Sequence, residues 1–359
     1  MASCGALSSL AGSTIVTGLI RAFDIRELGA AQRLCASGRM LAFELAAVDG
    51  LQPMREIIRA YVSGNGDAAS ALVLHEDVNH GPLTALSVMR IFQHAQNGDE
   101  RVGLATLEFI APAPDTSARF EAWTALAESQ SLIAAGRGAR HTLAEAPEGS
   151  QEFDALLAAG FTPWMHQDAL KMAGAPASAA PEDAPWLHEM SGDADEASAR
   201  WLSARVVPKP LQRSGAQHDL IRLAHRPAVS YLAASEGETQ GWIAVYAGRR
   251  AFSIRSLFRT EAEALVRPSI EFVIARLRRR AQRPIYCVVP SFASWQLPAL
   301  DAAGFAHVTS NLLMIRTNLA TVRQPVWSVE FATAQQKAAA RHNVDTPNRY
   351  ATTHDQFSQ

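Results

Sequence analysis

The sequence predicts an α/β protein built as two tandem domains, each a mixed, mostly antiparallel sheet flanked by helices. Three observations carry that expectation. LLAAGF at Leu156–Phe161 returns as LDAAGF at Leu300–Phe305, about a domain's length apart, which marks an internal repeat. The match continues upstream, where Ala139–Pro147 (ARHTLAEAP) aligns with Gln282–Pro290 (QRPIYCVVP). Between the halves, Ala173–Pro185 (AGAPASAAPEDAP) has no hydrophobic side chain larger than Ala or Pro, so it cannot pack as a core element and reads as a semi-rigid linker. The expected division is 1–172, a linker over 173–185, 186–318, and a polar tail over 319–359, partly disordered, whose scattered apolar residues follow no sustained period.

Composition agrees. The 359 residues suffice for two domains, each long enough to close a hydrophobic core. A 48% apolar and 19% charged chain with a net charge of −2 suits a soluble protein and gives no reason to expect nucleic acid or an anionic membrane. Three cysteines (Cys4, Cys35, Cys287) without CxxC spacing exclude a disulfide framework and are too few for a thiolate zinc site, so a reducing cytoplasm is expected. The first residues lack the basic and compact apolar regions of a signal peptide, and no run approaches the ~18 apolar residues of a membrane span.

In the first half, Ile20–Ile25 reads as an opening strand, and Leu34, Leu41, Leu45 and Val48 as one loosely helical stripe. Met54, Ile57, Ile58 and Tyr61 recur at i, i+3, i+4 and i+7, one face of a helix. Ala71–His75, Leu83–Ile91 and Val102–Ile110 form an expected antiparallel meander. A helix after Pro112 and Pro114 carries Phe120, Trp123 and Ala127, a short strand covers Thr142–Ala144, and a last helix holds Phe153, Leu156 and Leu157. Gly160 supplies the left-handed position that ends this helix, and Phe161 folds back as its hydrophobic contact.

The second half repeats the scheme with strands at Val229–Ala233, Trp242–Ala247 and Phe252–Phe258. Its central helix shows Ile270, Val273, Ile274 and Leu277 at helical spacing, with Pro268 placed near the start, where a missing amide hydrogen costs nothing. Ile285–Val289, Leu297–Ala303 and His307–Ile315 complete the unit.

This order of meander, central helix, strand, short helix ending in Gly-Phe and closing strand resembles the GNAT superfamily of N-acetyltransferases. The resemblance covers Arg21–Met172 and Trp186–Thr317. It implies two acetyltransferase-like domains, acetyl-CoA as cofactor, and acyl transfer to a small-molecule or protein amine. The cofactor's pyrophosphate would meet backbone N–H groups at the central helix N-terminus, anion binding by a helix dipole. On that alignment Ile110, Ala111, Ser117 and Arg119 in the first half, and Phe258, Arg259 and Arg267 in the second, are the cofactor-side residues.

Two departures weigh against that chemistry. The family's turn signature (Arg or Gln, two residues, Gly, one residue, Gly or Ala) falls on Asp115, Ala118 and Phe120, and again on Glu263, Val266 and Pro268. Carboxylates repel a pyrophosphate, and bulky side chains keep the backbone from approaching it. The tyrosine that many members use as general acid is replaced by Leu156 and by Leu300, and leucine donates no proton. The alternative is therefore a catalytically lapsed duplication that binds a ligand or serves a structural or regulatory role.

Glu108 is the only carboxylate inside the first cofactor-edge strand, where burial could poise it as a general base; a solvated strand carboxylate is the plainer reading, and the second half has Ser256 there. His75, His80, His141 and His166 show no ligand spacing such as HExxH, so no metal is expected. Cys287 in PIYCVVP reads as a small buried hydrophobe. Arg276, Arg278, Arg279, Arg280 and Arg283 read as the cationic end of a helix, each favoured by its dipole by ~0.3–1 kcal/mol.

Overall fold

The computed structural model describes residues 18–50, 52–63, 69–77, 81–96, 100–173, 184–213, 227–280 and 282–318. The tail expected over 319–359, most of the linker (174–183), Cys4 and His80 lie outside them.

In the first half the order is β1 (Leu19–Ala22), α1 (Leu28–Cys35), β2 (Arg39–Met40), α2 (Phe43–Asp49), α3 (Pro53–Val62), β3 (Ala69–His75), β4 (Leu83–Gln96), β5 (Glu100–Ala111), α4 (Ser117–Gly136), β6 (Ala139–Ala146), α5 (Gln151–Ala158) and β7 (Thr162–Met172). The second half follows with β8 (Leu187–Glu189), α6 (Asp193–Val206), α7 (Lys209–Arg213), β9 (Val229–Ser235), β10 (Glu238–Ala247), β11 (Phe252–Phe258), α8 (Glu263–Arg280), β12 (Ile285–Pro290), α9 (Leu297–Ala302) and β13 (Phe305–Thr317). A 3-10 turn, Ser291–Gln296, joins β12 to α9.

One sheet runs β1-β3-β4-β5-β6-β13-β7-β12-β11-β10-β9-β8, with β2 a spur on β5. Its ladders are antiparallel except β5–β6 and β11–β12. The final strands are exchanged: β13 of the second half inserts between β6 and β7, and β7 pairs with β12. The exchange reaches the cores. Leu312 and Met314 of β13 pack with Trp123, Leu126, Leu156 and Phe161, while Leu170 and Met172 of β7 pack with Ile270, Val273, Ile274 and Phe305. Burying each such side chain contributes about 1.5–3 kcal/mol, so each half depends on the other for part of its core.

Local chemistry explains the ends of the elements. Thr116 caps α4 by accepting from the Arg119 N–H, and Ser150 caps α5 by accepting from the Phe153 N–H. Gly160 and Gly304 take φ of 80° and 94°, and the following Phe161 and Phe305 are fully buried, so the repeated Gly-Phe is a helix-ending device in both halves.

Three local expectations are corrected. The stripe from Leu34 to Val48 is not one helix, because Ser37–Ala42 leaves helical geometry to bond with β5 and β6. Pro268 lies inside α8, which starts earlier, at Glu263. On α3 only Ile57 of the expected face is fully buried, and Ile58 and Tyr61 each keep 39% of their surface exposed. Among the described residues no helix is long and apolar enough to cross a membrane.

Candidate functional site

In each half the two parallel strands pair briefly and then part, which creates the position where a cofactor cleft would open. β5 and β6 pair from Gly103–Ala139 to Thr106–Leu143. At the divergence β5 carries a bulge: Val88 faces Phe109 and Met89 faces Leu107, leaving Glu108 unopposed. Bulges bend a strand and re-aim a side chain.

That first cleft is filled by the chain itself. The Leu41 N–H donates to the Glu108 carbonyl and the Leu41 carbonyl accepts from the Glu145 N–H, both at 2.8 Å, so one residue bridges the parted strands. β2 pairs Arg39 with Ile110 and Met40 with Phe109, and the Ala113 N–H donates to the Ser37 carbonyl at 2.8 Å. Arg39 also reaches Glu152 of α5 at 2.9 Å. Gly38 permits the approach, since a Cβ there would fall 2.0 Å from the Phe109 ring. Ile110 and Ala111, expected beside a cofactor, are completely buried under this segment.

The helix N-terminus beyond is similarly engaged. Trp123 Nε1 donates to the Pro112 carbonyl at 2.5 Å, Thr116 caps the helix, and the exposed Asp115 and Arg119 pair with each other at 2.5 Å. Ser117 is exposed on the first turn. An anion here would meet a carboxylate and an already paired cation, and a pantetheine arm would meet β2. The first half does not fit acetyl-CoA.

Glu108 is 4% exposed. Burial pushes its carboxyl up to about 7, opposed by the Arg90 guanidinium and assisted by the nearby charge of Glu56. Arg90 lies 2.8 Å from Glu108 and 3.3 Å from Glu56. A cavity of about 40 Å³ beside them is lined by Met40, Leu45, Asp49, Arg55 and Arg249 among others. Toward the parted strands the backbone of Glu108 is covered by Leu41.

In the second half β11 and β12 pair only from Phe252–Ile285 to Ile254–Cys287. Beyond, no strand among the described residues enters between them. Side chains do. A cavity of about 30 Å³ remains among Gln167, Trp242, Ser256, Val288, Pro290 and Phe292, and Phe292 packs against three separate apolar clusters there. Ser256 Oγ donates to Gln296 Oε1 at 2.8 Å, with both residues buried.

The expected cofactor residues of this half are likewise committed. Phe258 is fully buried over Gly241, where a Cβ would come 2.2 Å from the ring. Arg259 pairs with Glu238 at 2.9 Å and Glu261 at 3.5 Å, and Arg267 pairs with Glu271 at 2.9 Å. The turn where a pyrophosphate would sit presents Glu261, held below the usual carboxylate range by a backbone N–H, and Glu263 at the first position of α8. This cradle also does not fit the cofactor. Leu156 and Leu300 are both completely buried.

Sequence reasoning missed the junction of the halves. Glu44 of α2, 6% exposed, takes hydrogen bonds from Ser253 Oγ and, at 2.9 and 2.6 Å, from Arg255 of β11. Glu145 of β6 accepts from the Phe43 N–H at 3.0 Å. The available signal was a single carboxylate inside the apolar run FELAAV. Cys287 is fully buried, and burial pushes its thiol up to about 12. Among the described residues no group of three or more His, Cys, Asp or Glu side chains could hold a metal ion.

The fold is similar to that of solved acetyltransferase structures. The fold matches a GCN5-related N-acetyltransferase from Sphaerobacter thermophilus with a TM-score of 0.50 at 13% identity, over 85% of this chain and 97% of that one. It also matches a tandem GNAT protein from the clavulanic acid biosynthesis pathway with a TM-score of 0.50 at 13% identity, over 84% of this chain and 98% of that one. No protein-family model and no curated protein matches the sequence. The chain has the tandem GNAT fold.

Proposed function

We propose that this tandem GNAT fold is retained for ligand binding or for a structural or regulatory role, and that it is a catalytically lapsed duplication rather than a working acetyltransferase. The observation that carries this reading is Leu41, whose backbone bridges Glu108 and Glu145 in the space a cofactor's pantetheine arm would need. The carboxylates at both helix N-termini, the side-chain filling around Phe292, and the leucines at the general-acid position support it. Fold alone does not establish activity. The free Cys35 and Cys287 accord with a reducing, cytoplasmic setting.

A second reading, an acyl-CoA-dependent N-acyltransferase acting on a small-molecule or protein amine, has one observation in its favour: no described strand closes the gap between β11 and β12. A thiol-release assay with acetyl-CoA and a panel of small amines and lysine peptides separates the two. The proposal expects release equal to that in buffer. Amine-dependent release would establish the second reading.

A further inference from the structure

The β10–β11 turn of the second half reaches across to the first. The Arg250 and Ala251 N–H groups donate to the Val48 carbonyl at 2.9 and 3.1 Å, and the Arg249 N–H donates to Asp49 Oδ1 at 3.3 Å. Gly50 is buried with φ of 82°, and a Cβ there would overlap the Arg250 guanidinium, so the Arg250 side chain lies across this glycine. Arg283 Nη1 donates to the Gly248 carbonyl at 2.7 Å, and Arg55, on the first turn of α3, borders the same cavity as Arg249. Long-range contacts therefore gather arginines from three separate stretches of chain around Gly50 and Gly248.

Arg55, Arg249, Arg250 and Arg283 are all exposed. Among the described residues none of their guanidinium groups has a carboxylate oxygen within 4 Å, whereas the equally exposed Arg39 and Arg119 each pair with an acid. Glu56, next to Arg55 in sequence, is engaged by Arg59 and Arg90. Gathered like charges repel one another and raise the local potential, which attracts anions.

We propose that the surface formed by Arg55, Arg249, Arg250 and Arg283 at the junction of the halves docks an extended acidic segment of a partner protein. The inference rests on the structural or regulatory reading above and names its partner class.

The shape of the surface selects that partner. The cavity bordered by Arg55 and Arg249, about 40 Å³, holds about three water molecules, so no compact ligand is enclosed and a small anion meets one or two of these arginines. A chain bearing carboxylates on successive side chains reaches them all, and each guanidinium fork takes a carboxylate through two parallel hydrogen bonds. A nucleic acid would run far beyond the cluster, over a protein of formal net charge −2, and meet repulsion there.

Fluorescence anisotropy tests this, with the full chain titrated into a labelled peptide of about ten alternating Glu and Asp residues, long enough to span about 30 Å. Saturable binding is expected at about 50 mM salt, weakening toward about 300 mM as screening grows. Arg55→Gln and Arg283→Gln are each expected to weaken it about two- to fivefold, and Arg249→Glu with Arg250→Glu by more than about tenfold. Arg26→Glu with Arg33→Glu makes the same change in net charge at exposed arginines outside the cluster, and is expected to leave binding within about twofold. No binding by the native chain overturns the proposal, as does an equal loss in the two double variants, both folded by circular dichroism. Tighter binding of a labelled DNA duplex, or displacement of the peptide by inorganic pyrophosphate at equal concentration of charge, overturns it in favour of a nucleic acid or a compact anion. Thiol release from acetyl-CoA, measured alongside, keeps the questions apart: it would contradict the lapsed reading and leave the peptide result standing.

Discussion

Glu44 and Arg255 stand 211 residues apart in sequence and share two hydrogen bonds of 2.9 and 2.6 Å in the interior, tying the first half's cleft segment to the second half's central sheet. Both residues are under a tenth exposed. Removing one partner strands a buried charge, whereas removing both leaves an apolar contact. Arg255→Met is expected to lower stability by about 3–5 kcal/mol, and Glu44→Leu with Arg255→Met to recover most of that loss. Urea unfolding of the two single variants and the double variant measures the coupling.

Two carboxyls, the buried Glu108 and the partly exposed Glu145, are pushed up to about 7 from an ordinary 4.5, mainly by desolvation. An acid raised in the folded chain holds its proton more tightly there than in the unfolded chain. Its contribution is fully present below about 4.5 and is lost as pH rises through about 7. The unfolding free energy obtained from urea titration should therefore fall between pH values of about 5 and 8, by about 1–3 kcal/mol for each group. Glu108→Gln and Glu145→Gln should each flatten part of that slope.

Gly38 is confined by the buried Phe109 ring, whereas a Cβ on Gly136, at the end of α4, would meet nothing within 4 Å. Gly38→Ala is expected to destabilise by about 1–3 kcal/mol through overpacking, and Gly136→Ala to stabilise by about 0.4–1 kcal/mol. Thermal unfolding of the pair checks that the cleft segment is tightly seated.

The strand exchange implies that neither half closes alone. Without β13, β7 loses the partner running from Phe305 to Ile315 along its length, and an exposed long edge invites aggregation. Residues 18–173 and 184–318 expressed separately are expected to be insoluble or molten, and to recover folded near-UV dichroism when co-expressed. A folded monomer of either piece would contradict the interlock.

What was legible in the sequence was local. The Gly-Phe ends could be read because a left-handed glycine followed by an apolar anchor is fixed by neighbouring residues, and the core face of α8 because Ile270, Val273, Ile274 and Leu277 repeat at the helical period. β2 could not be read: Arg39 and Met40 carry no alternation, and their strand exists through backbone bonds to residues about 70 positions away along the chain. The exchange of β7 and β13 was hidden for the same reason, since both strands satisfy the same pattern whichever core they join. At the candidate site, Glu108 could be picked out as the one carboxylate of the expected strand Val102–Ile110, and the departure from the family's turn signature could be read from Asp115 and Glu263. The closure of the first cleft rests on long-range hydrogen bonding that residue types do not encode.

The central claim is that the chain occupies its own cofactor position, and isothermal titration of the full chain with acetyl-CoA tests it most directly. The account predicts no saturable heat up to about millimolar ligand, the weak limit at about −4 kcal/mol. Saturable binding at a defined stoichiometry would contradict it and return the gap between β11 and β12 to the position of a working site.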